Sequence, residues 1–215
     1  MVVQTKTYTQ IAVNESEILR YAGVKTSTKE INDLIKECLA ELKNHLIYKV
    51  CYLETPIVTS ETSVDFGFNK TQSKSLAKNL NNCSSCIIFC ATLGIGIDRL
   101  IAKYNAVSPT KALIFQAIGA ERIESLCNLF CKEIKEGKCV RPRFSPGYGD
   151  FSLDFQREIF KVLDCSKKIG VTLNESLLIS PTKSVTAIVG ISKTKEAVIE
   201  NDCNNCNLKD CEFRK

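Results

Sequence analysis

One eight-residue stretch of the sequence combines residue types that bind small ligands. It reads Arg143-Phe144-Ser145-Pro146-Gly147-Tyr148-Gly149-Asp150. The guanidinium of Arg143 presents a planar pair of donors that fits a carboxylate, and the ring of Tyr148 offers a face to a cation or a base. Gly147 and Gly149 permit tight turns and a close approach of a ligand to the backbone. The stretch therefore indicates either a ligand-binding loop or a structural turn that carries a surface arginine.

Three cysteines near the C-terminus have the spacing of metal ligands, Cys203-x2-Cys206-x4-Cys211. Thiolates this close in sequence can converge on one Zn²⁺ or on one edge of an iron–sulfur cluster, and the spacing does not choose between the two. The fourth ligand is Cys139, Cys165 or a group from a partner. The alternative is a polar tail with free thiols.

The composition narrows the class of protein and its compartment. The N-terminus has no secretion pattern, and no apolar run approaches the ~18 residues that span a membrane. We therefore expect a cytoplasmic protein without a membrane partner, whose twelve cysteines are thiols or metal ligands. The single histidine, His45, nearly excludes histidine-dependent triads and is expected at a helix end on the surface. The net charge of +5 is spread along the chain, so we expect no nucleic-acid partner.

Helices and strands are mixed along the chain without a regular βαβ rhythm. Capping boxes at Asn14 and at Ser27-Thr28-Lys29-Glu30 predict two helices. A long helical region is predicted over 97–136, broken near Ser108-Pro109, and another helix over 152–163. Strands are predicted between Ile47 and Phe68, where Val64, Phe66 and Phe68 alternate with polar or small residues, and over 185–191, which also alternates. The apolar run from Cys86 to Ala91 predicts a strand that is buried on both faces. Cys86 and Cys90 are expected to pack there as core residues.

These elements predict an α+β fold, in which a mixed, mainly antiparallel twisted sheet is flanked by helices. The tail from Asn201 is polar, carries cysteines and lacks periodicity. We therefore expect one domain over residues 1–200, followed by a short cysteine-containing tail over 201–215.

Three blocks of sequence, in order, resemble the activation domain of cobalamin-dependent methionine synthase in its stand-alone bacterial form. They are the loop Arg143–Asp150, the stretch Lys168–Ser176 (KIGVTLNES) and the stretch Pro181–Thr186 (PTKSVT). The segment Phe89–Gly94 and the helix around Glu121 and Glu124 resemble the family more loosely. The resemblance covers roughly residues 75–192.

The resemblance implies a domain that binds S-adenosylmethionine and helps to rescue cobalamin that has been oxidised to cob(II)alamin. Arg143 would hold the methionine carboxylate, the backbone of Ser145 and neighbours such as Gly147 would meet the adenine, and Tyr148 would lie near the ligand. A helical glutamate at or beside Glu124 would meet the amino group. No side chain would act as a catalytic base, because the sulfonium is already a leaving group. The partners implied are a corrinoid protein, which carries the cobalamin, and an electron donor.

Two other hypotheses remain open at this point. In the first, the chain is a metal-bearing redox or interaction module that acts on a corrinoid protein without binding S-adenosylmethionine. In the second, it is a purely structural partner subunit that binds neither ligand nor metal.

Overall fold

A computed structural model describes residues 1–192 of the chain. The predicted tail and its three cysteines, Cys203, Cys206 and Cys211, therefore lie outside the described residues, as does the predicted domain boundary at residue 200. The helices are α1 (Glu15–Tyr21), α2 (Lys29–Leu42), α3 (Lys74–Asn79), α4 (Gly96–Val107), α5 (Pro109–Lys135), α6 (Phe155–Leu163) and α7 (Cys165–Ile169). The strands are β1 (Gln4–Tyr8), β2 (Tyr48–Pro56), β3 (Val58–Thr59), β4 (Ser63–Asp65), β5 (Lys70–Gln72), β6 (Cys83–Thr92), β7 (Cys139–Val140), β8 (Thr172–Leu173), β9 (Ile179–Ser180) and β10 (Ser184–Ser192).

A five-stranded sheet in the order β1-β2-β6-β10-β7 forms the centre of the described part of the chain. Every described strand pairing is antiparallel, so the predicted α+β class is confirmed. Two smaller sheets, β3-β4-β5 and β8-β9, lie outside the central one. No described helix is both long enough and apolar enough to cross a bilayer.

The central sheet is buried on both faces, as the apolar run in β6 predicts. Alternate residues of a strand point to opposite faces. Ile87 and Phe89 therefore pack with the apolar face of α5, whereas Cys86, Ile88 and Cys90 pack with α3, α6 and α7. Cys86 and Cys90 are core residues, as expected.

A second helical layer lies outside α5. Helices α1, α2 and α4 pack against α5 around a separate apolar cluster that includes Ile18, Leu42 and Phe115. The predicted cap at Asn14 is present, since Asn14 Oδ1 accepts a hydrogen bond from the Glu17 amide at 3.3 Å. The cap of α2 lies one residue later than the predicted box, since Thr28 and not Ser27 is the N-cap and its Oγ1 accepts from the Ile31 amide at 3.4 Å. α5 is therefore the layer that the sheet and the outer helices share.

The long helical region is divided as the sequence predicts, with Pro109 in the first turn of α5. Helix α6 begins three residues later than predicted, at Phe155, because the loop before it closes in turns that include the Phe155 amide to Ser152 carbonyl bond. Strands β2, β3 and β4 lie in the stretch from Ile47 to Phe68 where strands are predicted. Of the alternating residues Val64, Phe66 and Phe68, only Val64 is in a strand, since the other two lie in the turn between β4 and β5. His45 is exposed after the end of α2, as expected.

A buried ion pair fastens the N-terminal segment to α5. Arg122 Nε and Nη2 both donate to the Glu121 carboxylate at 2.5 Å, and the two side chains are 2% and 1% exposed. Arg122 also donates to the carbonyls of Ile11 at 2.9 Å and Ala12 at 2.6 Å. Glu121 Oε1 accepts the Asn14 amide at 3.1 Å. The pair therefore sets where α1 begins and how it lies against α5.

We predict that Arg122→Met destabilises the protein by about 3–5 kcal/mol, because the Glu121 carboxylate is left buried without its cation. Urea unfolding at neutral pH measures the change. The double variant Glu121→Gln/Arg122→Met should recover part of the loss, since it leaves no uncompensated buried charge. Arg99→Met, at an exposed site on α4, is the matched control and should stay within about 0.5 kcal/mol of the parent protein. A single variant as stable as this control would show that the pair does not hold the segment.

Candidate functional site

The loop Arg143–Asp150 leaves the edge strand β7 and is held at both ends by backbone hydrogen bonds. The Phe144 amide donates to the Ile188 carbonyl at 2.9 Å and the Ile188 amide donates back at 2.8 Å, so the loop begins as an extension of the sheet. Further along, the Tyr148 amide donates to the Ser145 carbonyl at 3.1 Å and the Gly147 amide to the Phe151 carbonyl at 2.8 Å. The loop is therefore a defined turn on the sheet edge.

The two glycines of the loop are required by its geometry. Gly147 and Gly149 have φ of +93° and +56°, a region that favours glycine. A Cβ at Gly149 would also lie 2.6 Å from Ser75 Oγ, at the start of α3. The loop therefore lies so close to α3 at Gly149 that only a residue without a side chain fits there.

Asp150 anchors the end of the loop by capping α3. Its carboxylate accepts hydrogen bonds from Ser73 Oγ at 2.6 Å and from the amides of Lys74 at 2.8 Å and Ser75 at 3.0 Å. These bonds, above all the one from Ser73, hold the pKa of the Asp150 carboxyl well below its usual range. The Gly149-Asp150 pair thus fixes the loop against the domain.

The structure brings Arg143 and Glu124 into direct contact. Arg143 Nη2 donates to Glu124 Oε2 at 3.0 Å and to Asn128 Oδ1 at 2.8 Å. Glu124 and Asn128 are one turn apart on α5, so both face the loop. The Arg143 side chain is 24% exposed, whereas Glu124 is 44% exposed. An arginine and a glutamate held together at the surface in this way can bind a ligand that has both a carboxylate and an ammonium group.

Glu124 and Tyr148 line a cleft of about 400 Å³ between α1, α5 and the loop. The Tyr148 side chain is 58% exposed, and its ring meets that of Phe144 edge-on at 5.9 Å between centroids. Arg143 reaches Glu124 from one end of this cleft and itself lines the neighbouring cleft. Ser145 and Gly147 shape the turn that presents Tyr148, and neither lines the cleft. Of the five predicted binding residues, the structure therefore groups Arg143, Glu124 and Tyr148.

Sequence reasoning missed the wall of the cleft that comes from the N-terminal segment. The following residues complete the lining: Asn14, Glu17, Arg20, Tyr21, Glu121, Ser125 and Asn128. The capping box at Asn14 predicted the helix that carries Glu17 and Tyr21, but nothing in the sequence connects this helix to α5, which lies about a hundred residues later.

The cleft is lined by paired carboxylates and is partly aromatic. Glu17, Glu121 and Glu124 line it. Each carboxylate is paired with an arginine, Glu17 with Arg20 at 2.6 Å, Glu121 with the buried Arg122 and Glu124 with Arg143. The guanidinium of Arg20 also lies 4.3 Å from the centroid of the Tyr21 ring. Carboxylates and aromatic faces both attract cations. The cleft is therefore suited to a cationic ligand whose own carboxylate can reach Arg143.

Two thiols lie beside Arg143 and are kept neutral. Burial raises the pKa of Cys127 to about 12 and that of Cys131 to about 11, and the nearby charge of Arg143 offsets only part of this effect. Because the thiolate is the reactive form of cysteine, neither side chain acts as a nucleophile at neutral pH.

The described residues contain no group of three or more histidine, cysteine or acidic side chains arranged to hold a metal. The predicted ligands Cys203, Cys206 and Cys211 lie outside them. Of the two candidates for the fourth ligand, Cys165 is fully buried in the core, whereas Cys139 is half-buried in the edge strand β7.

The sequence matches no protein-family model and no curated protein. Its structure is similar to a solved structure described as the MetH reactivation domain bound to AdoHcy. The TM-score is 0.70 at 14% sequence identity, and the superposition covers 92% of this chain and 81% of that one. At this level of identity the likeness establishes the fold.

We predict that the cap formed by Asp150 makes stability depend on pH in acid. Its folded-state pKa is depressed, so the stability it adds is fully present above its unfolded pKa of about 3.9 and is lost as the pH falls through the folded pKa. Asp150→Ala should therefore lower the thermal midpoint at pH 7, and its difference from the parent protein should shrink towards pH 2. Asp33→Ala, at an exposed site on α2, is the control and should show no such difference. A difference for Asp150→Ala that is independent of pH would contradict the capping role.

Proposed function

We propose that this chain is an activation subunit of a cobalamin-dependent methionine synthase, of the stand-alone type, which binds S-adenosylmethionine in the cleft between α1 and α5. The observation that carries the proposal is the contact between Arg143 and Glu124 at one end of a cleft lined by carboxylates and aromatic rings. It is supported by the fold, which resembles that of a MetH reactivation domain solved with AdoHcy bound.

The amino-acid end of the ligand matches the charges at Arg143 and Glu124. The guanidinium would bind the α-carboxylate of S-adenosylmethionine, and the Glu124 carboxylate would bind its ammonium group. The ligand would replace one half-exposed ion pair with two charge-assisted interactions, and such hydrogen bonds are stronger than neutral ones. Asn128, which already accepts from Arg143, would keep the guanidinium in position.

The remainder of the ligand suits the rest of the cleft. A volume of about 400 Å³ lies within the range of sites for ligands of this size. Glu17 and Glu121 contribute carboxylates that are already paired with arginines, and the exposed ring of Tyr148 offers a face to the sulfonium or the adenine. The family resemblance assigns adenine contacts to the backbone around Ser145 and Gly147. These residues lie outside the lining of the cleft, so the adenine would extend past Tyr148 to reach them.

The protein's contribution to the reaction would be positioning and protection. A reduced corrinoid on the partner protein would supply the nucleophile that accepts the sulfonium methyl group. No protein base is needed, because no proton moves in that transfer, and binding both reactants in register provides the rate gain. The raised pKa values of Cys127 and Cys131 keep these thiols from competing as methyl acceptors. The partners proposed are a corrinoid protein and an electron donor for its reduction.

A metal site on the tail remains a second proposal, with Cys203, Cys206 and Cys211 as ligands of zinc or an iron–sulfur cluster. Cys139 is a better fourth ligand than Cys165, because Cys139 is half-buried at the sheet edge and pairs in register with Ser192, the last described residue. Cys165 is enclosed by the core beside Cys51, at 3.9 Å between the two sulfur atoms.

We predict that calorimetric titration detects S-adenosylmethionine binding by the full chain and that Arg143→Ala weakens it roughly tenfold to a hundredfold. A hydrogen bond to a charged group is worth about 1.5–3 kcal/mol, and the variant removes the cation of the carboxylate site. Glu124→Gln should weaken binding less, since it keeps an acceptor for the ammonium group. Arg157→Ala, on α6 and away from the cleft, is the matched control and should bind like the parent protein.

Two results would sink the ligand assignment. One is the absence of binding by a folded, metal-replete parent protein. The other is unchanged affinity in Arg143→Ala when its circular dichroism and thermal midpoint match those of the control.

We predict that the anaerobically purified protein contains zinc or iron, measured by metal analysis and absorption spectroscopy. Replacing Cys203, Cys206 and Cys211 together with serine should abolish the bound metal, and Cys139→Ser should reduce it. Cys38→Ala, at a site on α2, is the control and should retain the full amount. Metal-free parent protein, or a triple variant that keeps its metal, would exclude the site.

A further inference from the structure

A second cleft, of about 610 Å³, lies next to the proposed ligand site and is lined by basic residues. Asn128 lines both clefts, and Arg143 stands between them, since it lines the second cleft and bonds to Glu124 of the first. Four cations line the second cleft, Lys132, Lys135, Arg141 and Arg143. Apart from Arg143, the cations of this basic cleft play no part in the function proposed above.

Two separate elements bring these cations together. Lys132 and Lys135 lie three residues apart in the last turn of α5 and so share a face of the helix. Arg141 and Arg143 follow β7 along the chain, and their guanidinium groups bond to different elements, since Arg143 donates to Glu124 and Asn128 of α5. Arg141 is 9% exposed and donates to the Asn81 carbonyl at 2.8 Å, so it is held in place.

A favourable interaction with the helix dipole explains only the two lysines. It does not explain why Arg143, which comes from another element, lies beside them in the same cleft, where like charges repel. Within residues 1–192, neither Lys132 nor Lys135 forms an ion pair, although lysines elsewhere, such as Lys6 and Lys111, do. The cleft therefore holds an excess of positive charge that a bound anion would neutralise.

The floor of the basic cleft is apolar. Val140, Pro142 and the half-buried Cys131 line it between the cations. A bare inorganic ion would use the charges but leave this surface in water, whereas an organic anion would cover it. We propose that the basic cleft binds an organic anion that carries at least two negative charges, with phosphate or carboxylate groups on the cations and an apolar body on Val140 and Pro142.

Arg143 couples this cleft to the first one. A doubly charged anion draws the guanidinium away from Glu124, and the carboxylate of an amino-acid ligand draws it the other way. The two sites therefore compete for one cation, and binding at one weakens binding at the other by the same factor. This coupling rests on the proposed function, but anion binding itself does not.

Calorimetric titration at low ionic strength tests anion binding with three probes, ADP, citrate and pyrophosphate. ADP or citrate is expected to bind, and pyrophosphate, which lacks an organic body, at least threefold more weakly than ADP. Lys132→Glu/Lys135→Glu should weaken ADP binding at least tenfold. The matched control is Lys167→Glu/Lys168→Glu, which changes the net charge equally at exposed residues of α7 and should retain the parent affinity.

Absence of binding by all three probes would overturn the proposal, as would an equal loss of affinity in the control, which would show that only net charge matters. A preference for ADP over citrate would assign the site to phosphate groups, and the reverse preference to carboxylates. Saturating ADP is expected to weaken S-adenosylmethionine binding at least threefold in the parent protein. If S-adenosylmethionine fails to bind while ADP binds, the proposed function fails and the anion site stands.

Discussion

The guanidinium of Arg122 is bound entirely within the protein, by the Glu121 carboxylate and by the carbonyls of Ile11 and Ala12. A charge buried to this extent is tolerated only when each of its donors has a partner, because its desolvation is otherwise uncompensated. The requirement fixes the N-terminal segment against α5 and so determines where α1 starts. The cleft between α1 and α5 exists because of this constraint. Glu121 takes part in both the buried ion pair and the cleft, since its carboxylate binds Arg122 and also lines the cleft.

The loop on the other side of the cleft is fixed by a different set of interactions. Its first part continues the sheet through Phe144 and Ile188, and its last part is tied to α3 by the Asp150 carboxylate. Between these anchors the chain must turn with positive φ at Gly147 and Gly149, which leaves Tyr148 projecting into solvent. The rigid sheet and the rigid α5 thus set the separation of Arg143 and Glu124. The position of the Arg143–Glu124 ion pair is therefore set by the sheet and α5, and not by the loop alone.

Local sequence signals predicted much of this structure. The cap at Asn14, the break at Pro109 and the apolar run of β6 depend on neighbouring residues and were confirmed, whereas the cap predicted at Ser27 lies at Thr28. The short strands β7, β8 and β9 were not predicted, because two residues carry too little pattern to distinguish a strand from a loop. For the site, residue types identified the loop, and the family resemblance suggested Glu124, which the structure places against Arg143. The contribution of Glu17 and Tyr21 could not be foreseen, since it depends on contacts over about a hundred residues. The basic lining of the adjacent cleft also depends on such packing.

The central claim is that Arg143 and Glu124 together bind the amino-acid end of S-adenosylmethionine. A crystal structure of the full chain grown with S-adenosylmethionine is the most direct measurement of it. The account predicts the ligand carboxylate within hydrogen-bond distance of the Arg143 guanidinium and the ligand ammonium group beside the Glu124 carboxylate, in the cleft between α1 and α5. A ligand bound elsewhere, with Arg143 and Glu124 still hydrogen-bonded to each other, would contradict it.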